Sequence, residues 1–134
     1  MNHFGLMAVM LSRRIAVLML TSSALLASHS MAADLASGAD VFATDCADCH
    51  SMTAGVNKKG PSLFGIMNKP AASVAGFAKY SDALKASKVV WTNANLASYV
   101  KNPRTFVVGG RMKYDGLDDA ALQQDLIAFL NSKK

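Results

Sequence analysis

Apolar residues fall at helical spacing most clearly near the C-terminus, where Leu122, Leu126, Phe129 and Leu130 share one face. Asp118 and Asp119 precede that stretch and Lys133 and Lys134 follow it, suiting the two ends of a helix dipole, so a helix is predicted from Ala120 to Asn131. A second helix is predicted over 35–48, with Asp34 as cap and Val41 and Phe42 set among alanines; Gly38 weakens it locally and permits close packing. Ser81 and Asp82 can cap a short helix to about residue 88. Thr92 can cap another over 93–102, which Pro103 stops. Between these elements, residues 51–75 carry Gly55, Gly60, Pro61, Gly65 and Pro70 too closely spaced for a long helix, and 104–115 is irregular around Gly109 and Gly110. Only residues 88–91 alternate as a strand would. The expectation is an all-α domain of three to five helices joined by long loops wrapped around something.

The first 32 residues read differently. They contain no acid, the pair Arg13-Arg14, an apolar run over 15–27 and then the small-residue site Ser30-Met31-Ala32. That run is shorter than the roughly 20 residues a spanning helix needs, and the pattern is that of a cleavable signal peptide over 1–32, with cleavage expected after Ala32. The remaining 33–134 form one predicted domain in the periplasm, not membrane-spanning after cleavage. Ser12-Arg13-Arg14-Ile15-Ala16 matches a twin-arginine signal only in part.

The whole chain carries 14 Lys and Arg against 9 Asp and Glu, a net charge of +5. Removing the leader takes two arginines and no acid, and leaves ordinary globular composition. No run of five like charges and no internal repeat is present, which disfavours nucleic-acid binding and solenoids.

Chemistry is concentrated in Cys46-Ala47-Asp48-Cys49-His50. The C-x-x-C-H pattern reads as covalent attachment of one c-type haem, through thioethers from Cys46 and Cys49 with His50 as an axial ligand of the iron. At about 100° per residue these three lie near 0°, 300° and 40°, so one helix face presents both sulfurs and the imidazole. Three other readings are weaker. A redox dithiol would be expected beside a βαβ pattern, which is missing. A structural zinc needs four ligands, and the processed chain holds one histidine and two cysteines. A plain disulfide leaves His50 without a role.

The opposite axial position decides between electron transfer and gas binding. Met52 is two residues from His50, a span of about 7 Å, too short to reach the far face. Met67 sits among Phe64, Gly65 and Ile66, a setting in which methionine usually fills a core gap. Met112 follows Gly109-Gly110-Arg111 in a flexible loop and is preferred; Met67, or an iron without a second protein ligand, are the other arrangements.

With these residues in view, the chain over nearly all of 33–134 resembles the class I cytochromes c of mitochondria and bacterial periplasms. The resemblance rests on Cys46 to His50, Gly60-Pro61-Ser62-Leu63, the run from Gly76 to Ala83, Trp91, Tyr99, Asn102-Pro103, Gly109-Gly110-Arg111-Met112 and the run from Asp125 to Leu130. It implies the small class I fold, wrapped around one covalently bound haem, with the first and last helices crossing at Gly38 and Phe42 against Leu126 and Phe129. It implies that the Pro61 carbonyl accepts the second ring N–H of His50, that Met112 supplies the sulfur ligand, that Tyr99 hydrogen-bonds near that sulfur, and that Tyr80 and Trp91 hold a propionate. Leu84, Lys69 and Gly110 depart from the mitochondrial pattern.

An iron closed by imidazole and thioether has no open position, so the expected activity is not enzymatic. It is one-electron outer-sphere transfer, the iron cycling Fe(II)/Fe(III), at the high-potential end that thioether ligation favours. The partners expected are redox proteins of respiratory or photosynthetic chains. A donor could be a quinol-oxidising complex, and an acceptor a terminal oxidase, reductase or reaction centre, each with an acidic docking surface. By resemblance Lys58, Arg104, Arg111 and Lys113 would face that surface, in a transient and salt-sensitive encounter made by a monomer. Two alternatives are a dedicated haem c subunit of an exported oxidoreductase and, less favoured, a gas-binding haem sensor.

Overall fold

The structure, a computed structural model, describes residues 32–134. The signal-peptide reading of 1–32 lies, apart from Ala32, outside the described residues.

Among the described residues there are five α-helices: α1 (Leu35–Val41), α2 (Asp82–Ala86), α3 (Asn93–Lys101), α4 (Pro103–Phe106) and α5 (Ala120–Asn131). Each starts at a residue whose short polar side chain satisfies an amide that the first turn leaves free. Asp34 accepts from Ala36 N at 2.8 Å, Ser81 from Leu84 N at 3.1 Å, Thr92 from Asn95 N at 3.2 Å, Asn102 from Thr105 N at 3.1 Å and Asp119 from Ala121 N at 2.9 Å.

Four expectations need correction. The first helix is not α-helical over 35–48: after Val41 it widens into a π-helical turn, Phe42–Cys46, and ends in the turn that carries Cys49. Such wide turns cluster at functional sites because they redirect side chains. The second helix ends at Ala86, before Lys88 takes a left-handed φ of 56°. Residues 104–115 are not wholly irregular. Pro103 ends α3 by lacking an N–H, yet its fixed φ suits the first position of a new helix, and with Asn102 as cap it starts α4. Finally, 88–91 forms no strand. Pro70 and Val90 make one isolated antiparallel bridge, supported by Ala71 N to Val89 O at 2.7 Å and Trp91 N to Lys69 O at 2.9 Å.

The core comprises Phe42, Ile66, Trp91, Leu96, Tyr99, Val100, Val107, Leu126, Ile127 and Leu130. α1 packs on α5 at Gly38, where a Cβ would stand 2.6 Å from the Asp125 carbonyl carbon and 2.8 Å from Phe129 Cβ. Only a glycine permits that approach. Asp125 then ties the two helices, accepting from Asp34 N and Ser37 Oγ at 2.7 Å each. Those two bonds hold its carboxyl below the usual aspartate range. The Phe42 and Phe129 rings meet with centroids 5.8 Å apart.

The long loop over 51–75 is held by its own polar groups. Ser62 is buried, donates to Thr53 O at 2.8 Å and accepts from Phe64 N at 3.2 Å, while Asn57 Oδ1 accepts from Ser62 N at 2.9 Å.

Candidate functional site

The loops and helices enclose a cavity of about 650 Å³. Seven of the ten core residues, including Trp91, Leu96, Tyr99, Leu126 and Leu130, line it. A domain this small thus turns most of its core toward an internal space, an arrangement that leaves apolar surface uncovered unless another group fills it.

Cys46, Cys49, His50, Pro61, Met112, Tyr80, Trp91 and Tyr99 all line this one cavity. The π-helical turn ends at Cys46, and Cys49 N and His50 N both bond to Cys46 O, at 3.1 and 2.8 Å, which coils the motif tightly. Cys46 is half-buried and Cys49 exposed. Burial first, then the Asp45 and Cys49 charges, push the Cys46 thiol up to about 12. A reactive thiol has the opposite shift, a depressed pKa that supplies thiolate, so Cys46 lacks the electrostatics of an activated thiol. Among the described residues, no three His, Cys, Asp or Glu side chains form a group that could hold a lone metal ion.

His50 is fixed on two sides. Its Nδ1 lies 2.7 Å from Pro61 O, and because a carbonyl can only accept, Nδ1 carries the proton and Nε2 keeps its lone pair. Burial, assisted by the Lys58 charge and opposed by the Pro61 carbonyl, lowers its pKa and keeps the ring neutral. Gly60 lies against the ring: a Cβ there would stand 2.8 Å from Nδ1 and 3.0 Å from Nε2. Gly60 thus positions the ring, a role toward His50 that neither its place in the loop nor its place in the Gly60-Pro61-Ser62-Leu63 run signals.

Of the methionines, Met112 alone among the described residues lines the cavity. Met67 borders a separate, smaller one with Phe64 and Lys133, and Met52 packs against the core. Tyr99 is buried between Trp91 and Phe106, with ring centroids 4.9 and 5.9 Å away, and burial raises its pKa. Among the described residues its hydroxyl has no protein hydrogen bond. Tyr80 Oη accepts from Val74 N at 3.2 Å, which leaves its O–H proton free to donate. Leu84 lines the cavity too, with Lys69 and Gly110.

These residues fit a c-type haem. The cavity is apolar and continuous with the core, two thiols stand four-residue-motif close to a neutral imidazole with a free Nε2, a thioether faces the same space, and spare donors remain on Tyr80 and Tyr99.

The predicted docking cations are unequally placed. Lys113 and Arg111 line the cavity with the exposed Lys59 and Lys79, and Arg111 Nη1 donates to Lys79 O at 3.4 Å. Lys58 Nζ instead donates to Ala47 O at 2.5 Å, and Arg104 pairs with Asp115 at 2.9 Å. One contact has no local sequence signal: Tyr114 Oη donates to Asp45 Oδ2 at 2.5 Å across 69 residues. Partial burial and the Asp45 carboxylate both raise the Tyr114 pKa, so the phenol stays protonated.

Residues 35–134 match the family model for cytochrome c. Cytochrome c of Arabidopsis thaliana is 38% identical over 105 residues, covering 78% of this chain and 93% of that protein. Cytochrome c of Chlamydomonas reinhardtii is 40% identical over 100 residues, 74% and 88% of the two chains. Among solved structures, cytochrome cH from Methylobacterium extorquens superposes with a TM-score of 0.69 at 36% identity, covering 75% of this chain and 99% of that one.

Proposed function

This chain belongs to the cytochrome c family, and from that membership we propose that it is an exported, periplasmic, single-haem electron shuttle whose iron is held between His50 and Met112. The family membership makes it a haem-based electron carrier of class I fold with covalently attached haem c; the ligands, the compartment and the partners are the proposal.

Haem c supplies reversible one-electron exchange between ferric and ferrous iron. The chain's residues do the rest. Cys46 and Cys49 anchor the group through their sulfurs. His50 offers Nε2 with its ring plane set by the Pro61 carbonyl and by contact with Gly60. Met112 offers a thioether, a neutral ligand that favours the reduced state and raises the potential. Trp91, Leu96, Tyr99, Leu126 and Leu130 exclude water. Tyr80, with its proton free, and Trp91 are the donors for a propionate. With His50 and Met112 both holding the iron, no coordination site would be left for a substrate, and the chemistry would be outer-sphere. Lys59, Lys79, Arg111 and Lys113 give the cavity a positive border that suits an acidic redox partner. Among the described residues no helix is long and apolar enough to cross a membrane.

The observation that carries this reading is that Met112, alone of the methionines described, shares the cavity with Cys46, Cys49 and His50. The test is the near-infrared spectrum of the ferric holoprotein, where sulfur-to-iron charge transfer gives a weak band. Wild type is expected to show the band and Met112→Ala to lose it, lower the potential and admit external ligands. An unchanged spectrum and potential in Met112→Ala would refute the ligand.

A further inference from the structure

Met112 sits in a stretch with almost no backbone support. Gly110 N bonds to Val107 O at 2.9 Å and Leu117 N to Val100 O at 2.9 Å, but between them residues 111–116 make no backbone–backbone hydrogen bond among the described residues. Three side-chain links hold the stretch instead. Arg111 reaches Lys79 O at 3.4 Å, a long contact between exposed residues. Asp115 pairs with Arg104 between side chains 93% and 63% exposed, a setting in which ion pairs contribute little. The third is Tyr114 to Asp45, short at 2.5 Å, from a half-buried phenol to an exposed carboxylate, and it alone of the three has a partner partly withdrawn from solvent.

The position of that third link gives it its meaning. Tyr114 is two residues beyond Met112, and Asp45 immediately precedes Cys46, at the start of the segment that carries both thiols and His50. Both line the cavity. The bond therefore joins the segment that carries Met112 to the segment that carries Cys46, Cys49 and His50, 69 residues apart in sequence. A stretch with few backbone bonds opens locally at low free-energy cost, and here opening requires the Tyr114 to Asp45 bond to break.

We propose that the Tyr114 to Asp45 hydrogen bond is a latch that holds the Met112 segment closed, so that Tyr114 and Asp45 are positioning residues which set how often the Met112 side of the site opens to external ligands. This rests on the reading of Met112 as the sulfur ligand. A carrier that must keep the same ligands in both oxidation states gains from such a latch, since each opening exposes the site to water and small ligands.

The experiment uses ferric holoprotein and imidazole as the competing ligand. At saturating imidazole the observed rate is capped by opening of the Met112 segment. Tyr114→Phe, which removes only the hydroxyl, and Asp45→Ala should each raise that limiting rate about fivefold to tenfold, the scale of one net hydrogen bond. The double variant should be no faster than either single, and Asp45→Asn, which keeps an acceptor oxygen but not the charge, should fall between wild type and Asp45→Ala. Exchange of the flanking Gly110 and Leu117 amides, which are hydrogen-bonded in the closed form, should quicken in step. Single variants within twofold of wild type, or a double variant whose effect equals the product of the singles, would overturn the latch. Loss of global unfolding midpoint without change in the limiting rate would also overturn it, by making the contact merely structural. A wild-type spectrum lacking the sulfur band would refute the Met112 ligand itself, so the two failures are distinguishable.

Discussion

Gly38→Ala tests the packing that closes the domain, because two physical effects pull it in opposite directions. Helix propensity alone predicts a gain of about 0.8–1 kcal/mol from replacing an interior glycine by alanine. The structure predicts the reverse. The new methyl would stand 2.6 Å from the Asp125 carbonyl carbon and 2.8 Å from Phe129 Cβ, whereas carbon atoms prefer roughly 3.5–4.0 Å. Neither neighbour can escape by changing rotamer, since one belongs to the α5 backbone and the other is fixed to it. α1 and α5 must therefore separate by about 1 Å. Overpacking of this kind costs about 1–3 kcal/mol. Separation also loosens the Phe42 to Phe129 ring contact, worth about 0.5–1.5 kcal/mol, and stretches the two bonds to the Asp125 carboxylate. Set against the propensity gain, the net loss is about 1–3 kcal/mol, or about 5–20 °C in midpoint for a domain of this size. The assay is thermal unfolding of the holoprotein followed by far-ultraviolet circular dichroism. A midpoint equal to or above wild type would show that propensity prevails and that the helices are not in backbone contact at Gly38.

Gly60→Ala should displace the His50 ring, because the added carbon would stand 2.8 Å from Nδ1; a holoprotein yield and ferric spectrum identical to wild type would contradict that placement. Acid should weaken the α1 to α5 junction. The folded Asp125 pKa lies below its unfolded value, so its contribution is complete above the ordinary aspartate range and is lost as pH falls through the folded pKa. Unfolding midpoints measured between pH 7 and pH 3 should fall less steeply in Asp125→Asn than in wild type, and parallel curves would remove Asp125 from the acid response. Electron exchange with an acidic redox partner should slow as ionic strength rises and the Debye length shrinks, and Lys113→Glu should flatten that dependence. A rate indifferent to salt would dissociate the basic border of the cavity from docking.

How far the sequence carried depended on how local the cause was. Every helix start rested on a capping side chain beside the segment it caps, and Asp34, Ser81, Thr92 and Asp119 were all readable for that reason. α4 is hidden in the sequence because Pro103 acts in both directions, stopping one helix by its missing N–H and starting the next with its fixed φ. The π-helical turn at Phe42–Cys46 was missed because a single extra residue per turn leaves no mark on apolar periodicity.

Local order and composition by themselves determined the attachment motif, the irregular loops, the helical class and the candidate ligands, since each is written in residues a few positions apart. Only the tertiary structure decided which methionine shares a cavity with His50, which glycine lies against the imidazole, and that Arg104 and Lys58 spend their charges on Asp115 and the Ala47 carbonyl. The Tyr114 to Asp45 bond is the extreme case. Neither residue carries a periodic or motif signal, and what brings them together is the closure of the chain around one internal space, a property of the packed whole.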